Sequence, residues 1–241
     1  MTYCVGLLLD AGMVLLSDTR TNAGLDNIAT YRKMFVFEDP GERVVAVMTA
    51  GSLSVTQTTI AQLDEAIQDH DPGAPPSIMN AETMLQVAGI VGNRLAAVSA
   101  DVKSKMSAGQ ETASASMIVA GQRRGGAMRM FLVYPEGNFI EATPDTPFLQ
   151  IGEHKYGKPI LDRVVRPWTS LAEAQKAVLL SMDSTLRSNL SVGMPLDLAV
   201  MQKDACRVTY ERRIEAQDEV FQKMSNAWSQ ALRDAFVRIE I

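Results

Sequence analysis

The sequence predicts an α+β fold with antiparallel sheets inside and helices outside, formed as one domain over residues 1–241. Three observations predict it. Short runs of strand-forming residues come in blocks, joined by turns rich in Gly, Pro and Asp. Helical patterns are grouped between those blocks, whereas a parallel α/β fold would interleave them with strands one by one. Apolar residues make up 46% of the chain against 21% charged, enough for a sizeable core and too apolar for disorder. There is no repeat, low-complexity stretch or linker to divide the chain.

The elements follow in order. Thr2 to Leu9 and Met13 to Arg20 read as a hairpin across Asp10-Ala11-Gly12, a three-residue loop with Gly last. Met34 to Glu38 and Arg43 to Thr49 form a second hairpin across Asp39-Pro40-Gly41. A helix opens at Ala50-Gly51-Ser52, with Leu53, Thr56, Ile60, Leu63 and Ile67 at helical spacing. After a loop over Asp71 to Pro76, a second helix carries Met84, Val87, Val91, Leu95 and Val98, with Leu85, Ala88 and Ile90 beside them. That apolar surface is wide enough to need cover on more than one side. Strands return at Ser114 to Ala120, Met128 to Tyr134, Asn138 to Ala142 and Phe148 to Ile151. Ser170 and Glu173 make a capping box for a third helix. Strands at Leu196 to Met201 and Arg207 to Arg213 follow the turn Gly193-Met194-Pro195. A terminal helix then carries Val220, Phe221, Met224, Trp228, Leu232, Phe236 and Ile239.

Composition excludes several function classes. The net charge of −5 gives no general attraction to nucleic acid or an anionic membrane. No apolar run is long enough to span a bilayer, and no basic segment precedes the first apolar stretch, so a cytoplasmic location is expected. Two cysteines, Cys4 and Cys206, do not make a disulfide framework, and Cys4 reads as a small core residue. His70 and His154 lie in polar surroundings and read as surface residues. With only these two histidines and no phosphate loop, dinucleotide fingerprint, nucleophile elbow or zinc spacing, neither a metal site nor a cofactor is expected.

One feature points to chemistry. Threonine follows the first methionine, and a small second residue permits methionine removal. A free N-terminal threonine carries a nucleophile and a base on one residue, because its α-amine has a reference pKa near ~7.7–8.0. In the hairpin read above, Thr2 lies opposite Arg20 and Cys4 opposite Asp18, which makes Thr2 and Asp18 diagonal neighbours on one face. A two-residue loop would shift the register and separate them. An ionised Asp18 in an apolar strand needs a cation, and Arg20 or Lys33 can supply it.

Thr2, Ser17-Asp18-Thr19-Arg20, Arg32-Lys33-Met34-Phe35 and Met48-Thr49-Ala50-Gly51-Ser52 resemble, in order and approximate spacing, the motifs of proteasome β-type subunits. The likeness runs over nearly the whole chain and is greatest to bacterial proteasome-type relatives. It implies membership of the N-terminal nucleophile hydrolases and their four-layer αββα sandwich, two antiparallel sheets flanked by helices. Carried over by position, Thr2 is the nucleophile and, through its amine, the base. Lys33 lowers the pKa of the hydroxyl, and Asp18 keeps Lys33 charged. The Gly51 amide, at a helix start, donates to the oxyanion. Thr49 and Leu53 are candidates to line a pocket beside it. Ser188-Asn189-Leu190-Ser191-Val192-Gly193 resembles the family's Asp-x-x-Ser-x-Gly element, with Ser188 in place of the aspartate and Ser191 keeping the hydroxyl that supports the amine. Glu153 stands where another supporting serine is expected.

The resemblance thus implies a threonine-type hydrolase of peptides or unfolded protein, assembled from identical subunits into a ring or spiral. Thr2 with Lys33 argues for catalysis. The altered supporting residues argue for a second reading, a catalytically weak scaffold subunit of the same fold. An amidase for a small non-peptide substrate is a third. The wide apolar surface of the Met84–Val98 helix supports assembly, since one face covers a sheet and the other is left for a neighbouring subunit.

Overall fold

The computed structural model describes residues 1–22, 28–71, 73–106 and 113–240. Pro72 of the loop expected over 71–76 lies outside them. The chain order is β1 (Tyr3–Leu9), β2 (Gly12–Asp18), β3 (Arg20–Asn22), β4 (Ile28–Thr30), β5 (Met34–Asp39), β6 (Arg43–Gly51), α1 (Leu53–Gln68) and α2 (Met84–Ser104). It continues through β7 (Ala115–Arg123), β8 (Arg129–Val133), β9 (Phe139–Glu141), β10 (Phe148–Gly152), α3 (Lys158–Val164), α4 (Leu171–Ser188), β11 (Leu196–Gln202), β12 (Tyr210–Ile214) and α5 (Glu219–Arg238).

Two five-stranded antiparallel sheets, ordered β10-β1-β2-β11-β12 and β5-β6-β7-β8-β9, stack face to face. Strand alternation decides what lies between them. Along β1 and β2, Tyr3, Val5, Leu7, Val14 and Leu16 pack under α3, α4 and α5. Cys4, Met13 and Leu15 point the other way and meet Val44, Ala46, Met48 and Ile118 of the second sheet. The far face of that sheet, with Val45, Val47 and Val119, packs under α1 and α2. Three apolar clusters therefore separate four layers, helix–sheet–sheet–helix, as expected.

Several details differ from the sequence reading. The first hairpin turns on Asp10-Ala11 alone, with Leu9 opposite Gly12 and Cys4 opposite Ser17. Gly12 belongs to the strand: its φ is 147°, and a Cβ there would collide with the carbonyl of Met201 on the neighbouring β11. Glycine is needed for the close approach of β11, not for the turn, and the register moves by one. Thr2 and Asp18 consequently take opposite faces of the sheet. The β3–β4 ribbon and the short α3 were not anticipated, and β12 begins at Tyr210 rather than Arg207. The wide apolar surface of α2 is satisfied within the chain, because α1 packs along the side that the sheet leaves free; Leu85 stays exposed. The capping box at Ser170 and Glu173 is present on α4.

Candidate active site

The site forms where β1 starts and β2 and β6 end, at one mouth of the sandwich. Asp18 is the last residue of β2 and is fully buried. Its Oδ1 accepts from Lys33 Nζ at 2.8 Å and from the Tyr3 amide at 3.0 Å, and its Oδ2 accepts from the Gly193 amide at 3.2 Å. Burial raises the Asp18 pKa above the ordinary carboxylate value, while the Lys33 charge and these donors pull against it. Of the two cations the sequence offered, Lys33 is the partner. The Arg20 guanidinium turns instead to the Leu190 carbonyl at 2.9 Å.

Lys33, only 5% exposed, sits just before β5. Its Nζ also donates to the Arg20 carbonyl at 2.5 Å and to the Met1 carbonyl at 3.2 Å. The lysine therefore reaches from the Asp18 carboxylate to the peptide unit that joins Met1 to Thr2. The two faces separated by the register shift are bridged at the sheet's end by a long side chain. The Met1 amine is held below its ordinary pKa, first by burial and then by the Lys33 charge.

Main-chain contacts fix Thr2. Its carbonyl accepts from the Glu153 amide at 2.7 Å, just past β10. The next residue, Tyr3, is wholly buried; Gln150 Nε2 donates to its hydroxyl at 2.6 Å, and that hydroxyl shares a 2.6 Å hydrogen bond with Ser181 Oγ on α4. Burial raises the Tyr3 pKa to about 12, so the phenol stays neutral.

Gly51 ends β6 at φ 111°, where a Cβ would collide with the Ser114 carbonyl. Amide directions alternate along this strand: Ser52 donates to the Ser114 carbonyl on one side, Thr49 to the Lys33 carbonyl on the other. The Gly51 amide thus faces the same side as that of Thr49. Strand β5 begins only at Met34, opposite Met48, and among the described residues no partner strand continues past it. The amide points into a cavity of about 480 Å³ whose lining includes Met1, Thr2, Lys33, Thr49, Gly51 and Leu53. Helix α1 starts at Leu53 with no acidic residue in its first turn, so its positive end is left for an anion. A second cavity, of about 410 Å³, shares Ala50 and Gly51 and is bounded beyond them by Tyr134, Gln150 and His154.

The structure does not gather every sequence candidate here. Thr2, Asp18, Lys33, Thr49, Gly51 and Leu53 come together. Ser188 is the exposed last residue of α4 and does not line the Thr2 cavity, because the helix ends before the chain turns toward β2. Ser191 is half-buried in that turn; its amide donates to Asn189 Oδ1 at 2.9 Å, and its hydroxyl has no hydrogen-bond partner among the described residues. Sequence reasoning missed the main-chain groups of Tyr3, Arg20 and Gly193, whose roles come from position and leave no side-chain signal.

This fold, with a threonine at the head of β1 beside a buried Lys–Asp pair, is the proteasome-like fold of N-terminal nucleophile proteins. No family model and no curated protein matches the chain. Solved structures do. The chain is 48% identical to an Anbu (Gly-1) mutant from Hyphomicrobium sp. strain MC1, covering 100% of this chain and 99% of that one, with a TM-score of 0.93. It is 43% identical to the subunit of the helical assembly of the Anbu complex from Pseudomonas aeruginosa, covering 100% and 98%, with a TM-score of 0.93. Anbu (ancestral beta-subunit) from Yersinia bercovieri is 40% identical, with 100% and 99% covered and a TM-score of 0.91. The chain belongs to the Anbu family of proteasome β-subunit-like proteins.

Proposed function

We propose that this chain, once Met1 is removed, is a threonine-type peptide or amide hydrolase that works in a homo-oligomer. One observation carries the reading: Lys33 Nζ lies between the Asp18 carboxylate and the Met1–Thr2 peptide, inside a cavity that also holds Gly51. The Thr2 amine takes the proton of its own hydroxyl as Oγ attacks the scissile carbonyl. The Lys33 charge favours loss of that proton, and Asp18 balances the charge. Gly51 N–H, with the start of α1 behind it, receives the oxyanion. The amine then protonates the leaving nitrogen, and water hydrolyses the ester. A peptide laid across Gly51 has one cavity on each side for its flanking residues.

The experiment is an intact-mass measurement of processed protein before and after treatment with an electrophile selective for N-terminal threonine. One adduct per chain is expected, and none with Thr2→Ala, which lowers turnover by about 10⁴-fold or more. A processed protein that neither forms the adduct nor cleaves any amide library sinks the hydrolase and leaves the scaffold reading, which the Ser188 and Glu153 departures favour.

Self-association has support from a different helix than the sequence suggested. Helix α5 is anchored by Phe221 and Ser225, yet every residue from 230 to 240 is exposed. Phe236, Val237 and Ile239 are 71–81% exposed and Leu232 about half exposed, and Trp168 is also 75% exposed. The Pseudomonas aeruginosa relative forms a helical assembly, and a repeated head-to-tail contact yields a ring or a spiral.

A further inference from the structure

We propose that Arg20 is a positioning residue of this site: its guanidinium seats the 189–193 turn so that the Gly193 amide addresses the second oxygen of Asp18. The proposal deepens the reading of Thr2, Lys33 and Asp18, and it rests on that reading for its kinetic consequences alone.

Arg20 follows Asp18 by two residues and opens β3. Its Nη1 donates to the Leu190 carbonyl. At Gly193 the three atoms nearest to an added Cβ are Nε, Cζ and Nη2 of Arg20, all in collision with it. The guanidinium therefore packs directly on the glycine Cα, and a side chain at 193 would push it from this seat. Held this way, Gly193 N–H donates to Asp18 Oδ2, and its carbonyl accepts from the Thr19 amide at 3.4 Å. Thr19 Oγ1 closes the seam by donating to the Pro195 carbonyl at 2.7 Å.

The two oxygens of Asp18 are thus served from different directions. Oδ1 takes Lys33 Nζ and the Tyr3 amide; Oδ2 takes Gly193, its sole hydrogen-bond donor among the described residues. A carboxylate held at both oxygens cannot swing away from the lysine. Arg20 acts twice, since its carbonyl accepts from Lys33 Nζ. The turn that resembles an amine-supporting element in the family also holds the carboxylate here. Lysine could keep the charge but lacks the planar fork that both packs on a Cα and donates along its edge.

The test uses the full processed chain with Arg20→Ala, Arg20→Lys, Gly193→Ala and the Arg20→Ala/Gly193→Ala double variant. Gly193→Ala alone lowers the thermal midpoint by about 5 °C through overpacking, and by under about 1 °C once Arg20 is gone. Arg20→Ala lowers kcat and the threonine-adduct rate about tenfold with KM unchanged, because Arg20 does not line the cavity, and Arg20→Lys does not restore them. Additive melting effects overturn the proposal. So does an active Arg20→Ala or Arg20→Lys protein with kcat within twofold of wild type. If the processed wild type proves inert, the hydrolase reading falls, and the melting cycle decides the role of Arg20 by itself.

Discussion

Two regions of this molecule depart from the rule that apolar groups go inside and charges stay in water, and they depart in opposite directions. At the mouth of the sandwich Asp18 and Lys33 are buried, 0% and 5% exposed. At the far end of α5, Phe236 and Val237 are 80% and 81% exposed. Neither arrangement helps an isolated chain fold. The buried pair costs desolvation that a well-packed apolar pair would avoid, and the projecting helix leaves apolar surface in water. Each departure is therefore a place to look for function, chemistry at the first and association at the second. If that division is right, variants at the two places separate: one set changes turnover, the other changes mass.

The largest effect is expected at the buried pair. Lys33→Ala removes the charge that balances Asp18 and that lies on the Met1–Thr2 peptide. It lowers kcat about 10³-fold and, by stranding a buried carboxylate, costs about 3–5 kcal/mol of stability. Denaturant titration and single-turnover assays measure both. Wild-type rates in this variant rule out the assigned role of lysine.

The second test is made at α5. Phe236→Asp places a charge on the exposed stripe formed by Leu232, Phe236 and Ile239. It is expected to leave the chain's own melting within about 2 °C, because Phe236 is 80% exposed, and to lower the scattering mass to that of a smaller species. An unchanged mass moves the assembly surface elsewhere, with the groove around Trp168 and Trp228 the next to examine.

How much of this was legible in the sequence follows from where each signal resides. The layers were legible because strand blocks and helix pairs carry their own periodicities. Thr2, Asp18, Lys33 and Gly51 were legible as side chains or as a conformational need at a motif position. The register of the first hairpin was not, because Gly12 answers to Met201 on β11, nearly 190 residues away, and glycine announces close approach without naming the partner. The cover over α2 was misjudged for a similar reason: periodicity shows a wide apolar face but not that α1 lies along it. The exposed end of α5 carried the same periodicity as a buried helix. The amides and carbonyls of Tyr3, Arg20 and Gly193 have no sequence signature whatever.

The pH dependence sharpens the comparison, since the buried pair should move stability and activity in opposite senses. Burial holds the folded-state pKa of Asp18 above its ordinary 3.8. Between that value and the folded one, the native state binds more protons than the unfolded state. The Asp18 contribution to stability is therefore fully present below about pH 4 and is lost as pH rises through the folded pKa, by at most about 1.4 kcal/mol per unit. Measured against Asp18→Asn, wild type loses relative stability across this window. Activity rises across the same window as Asp18 ionises and holds the Lys33 charge. A wild type that gains relative stability there reverses the sign and with it the claim that burial dominates.

The smallest effects are expected in the turn after α4, where resemblance and geometry give different expectations. Resemblance makes Ser188 and Ser191 supports of the terminal amine. In the fold, Ser188 is exposed at the end of the helix, and Ser188→Ala should leave kcat within twofold. Ser191 is closer to the cluster in the chain, two residues before Gly193, and its hydroxyl is uncommitted among the described residues. Once Met1 is gone, that hydroxyl is the candidate to steady the new amine, so Ser191→Ala should lower kcat by less than about tenfold, well under the loss from removing a true proton-transfer group. The two variants must be compared on protein of verified mass, because residual Met1 lowers the rate in the same direction. Equal losses of 10²-fold or more at both positions would mean that the turn supports the amine as the family pattern implies. The Gly193 contact to Asp18 would then be a by-product of that support.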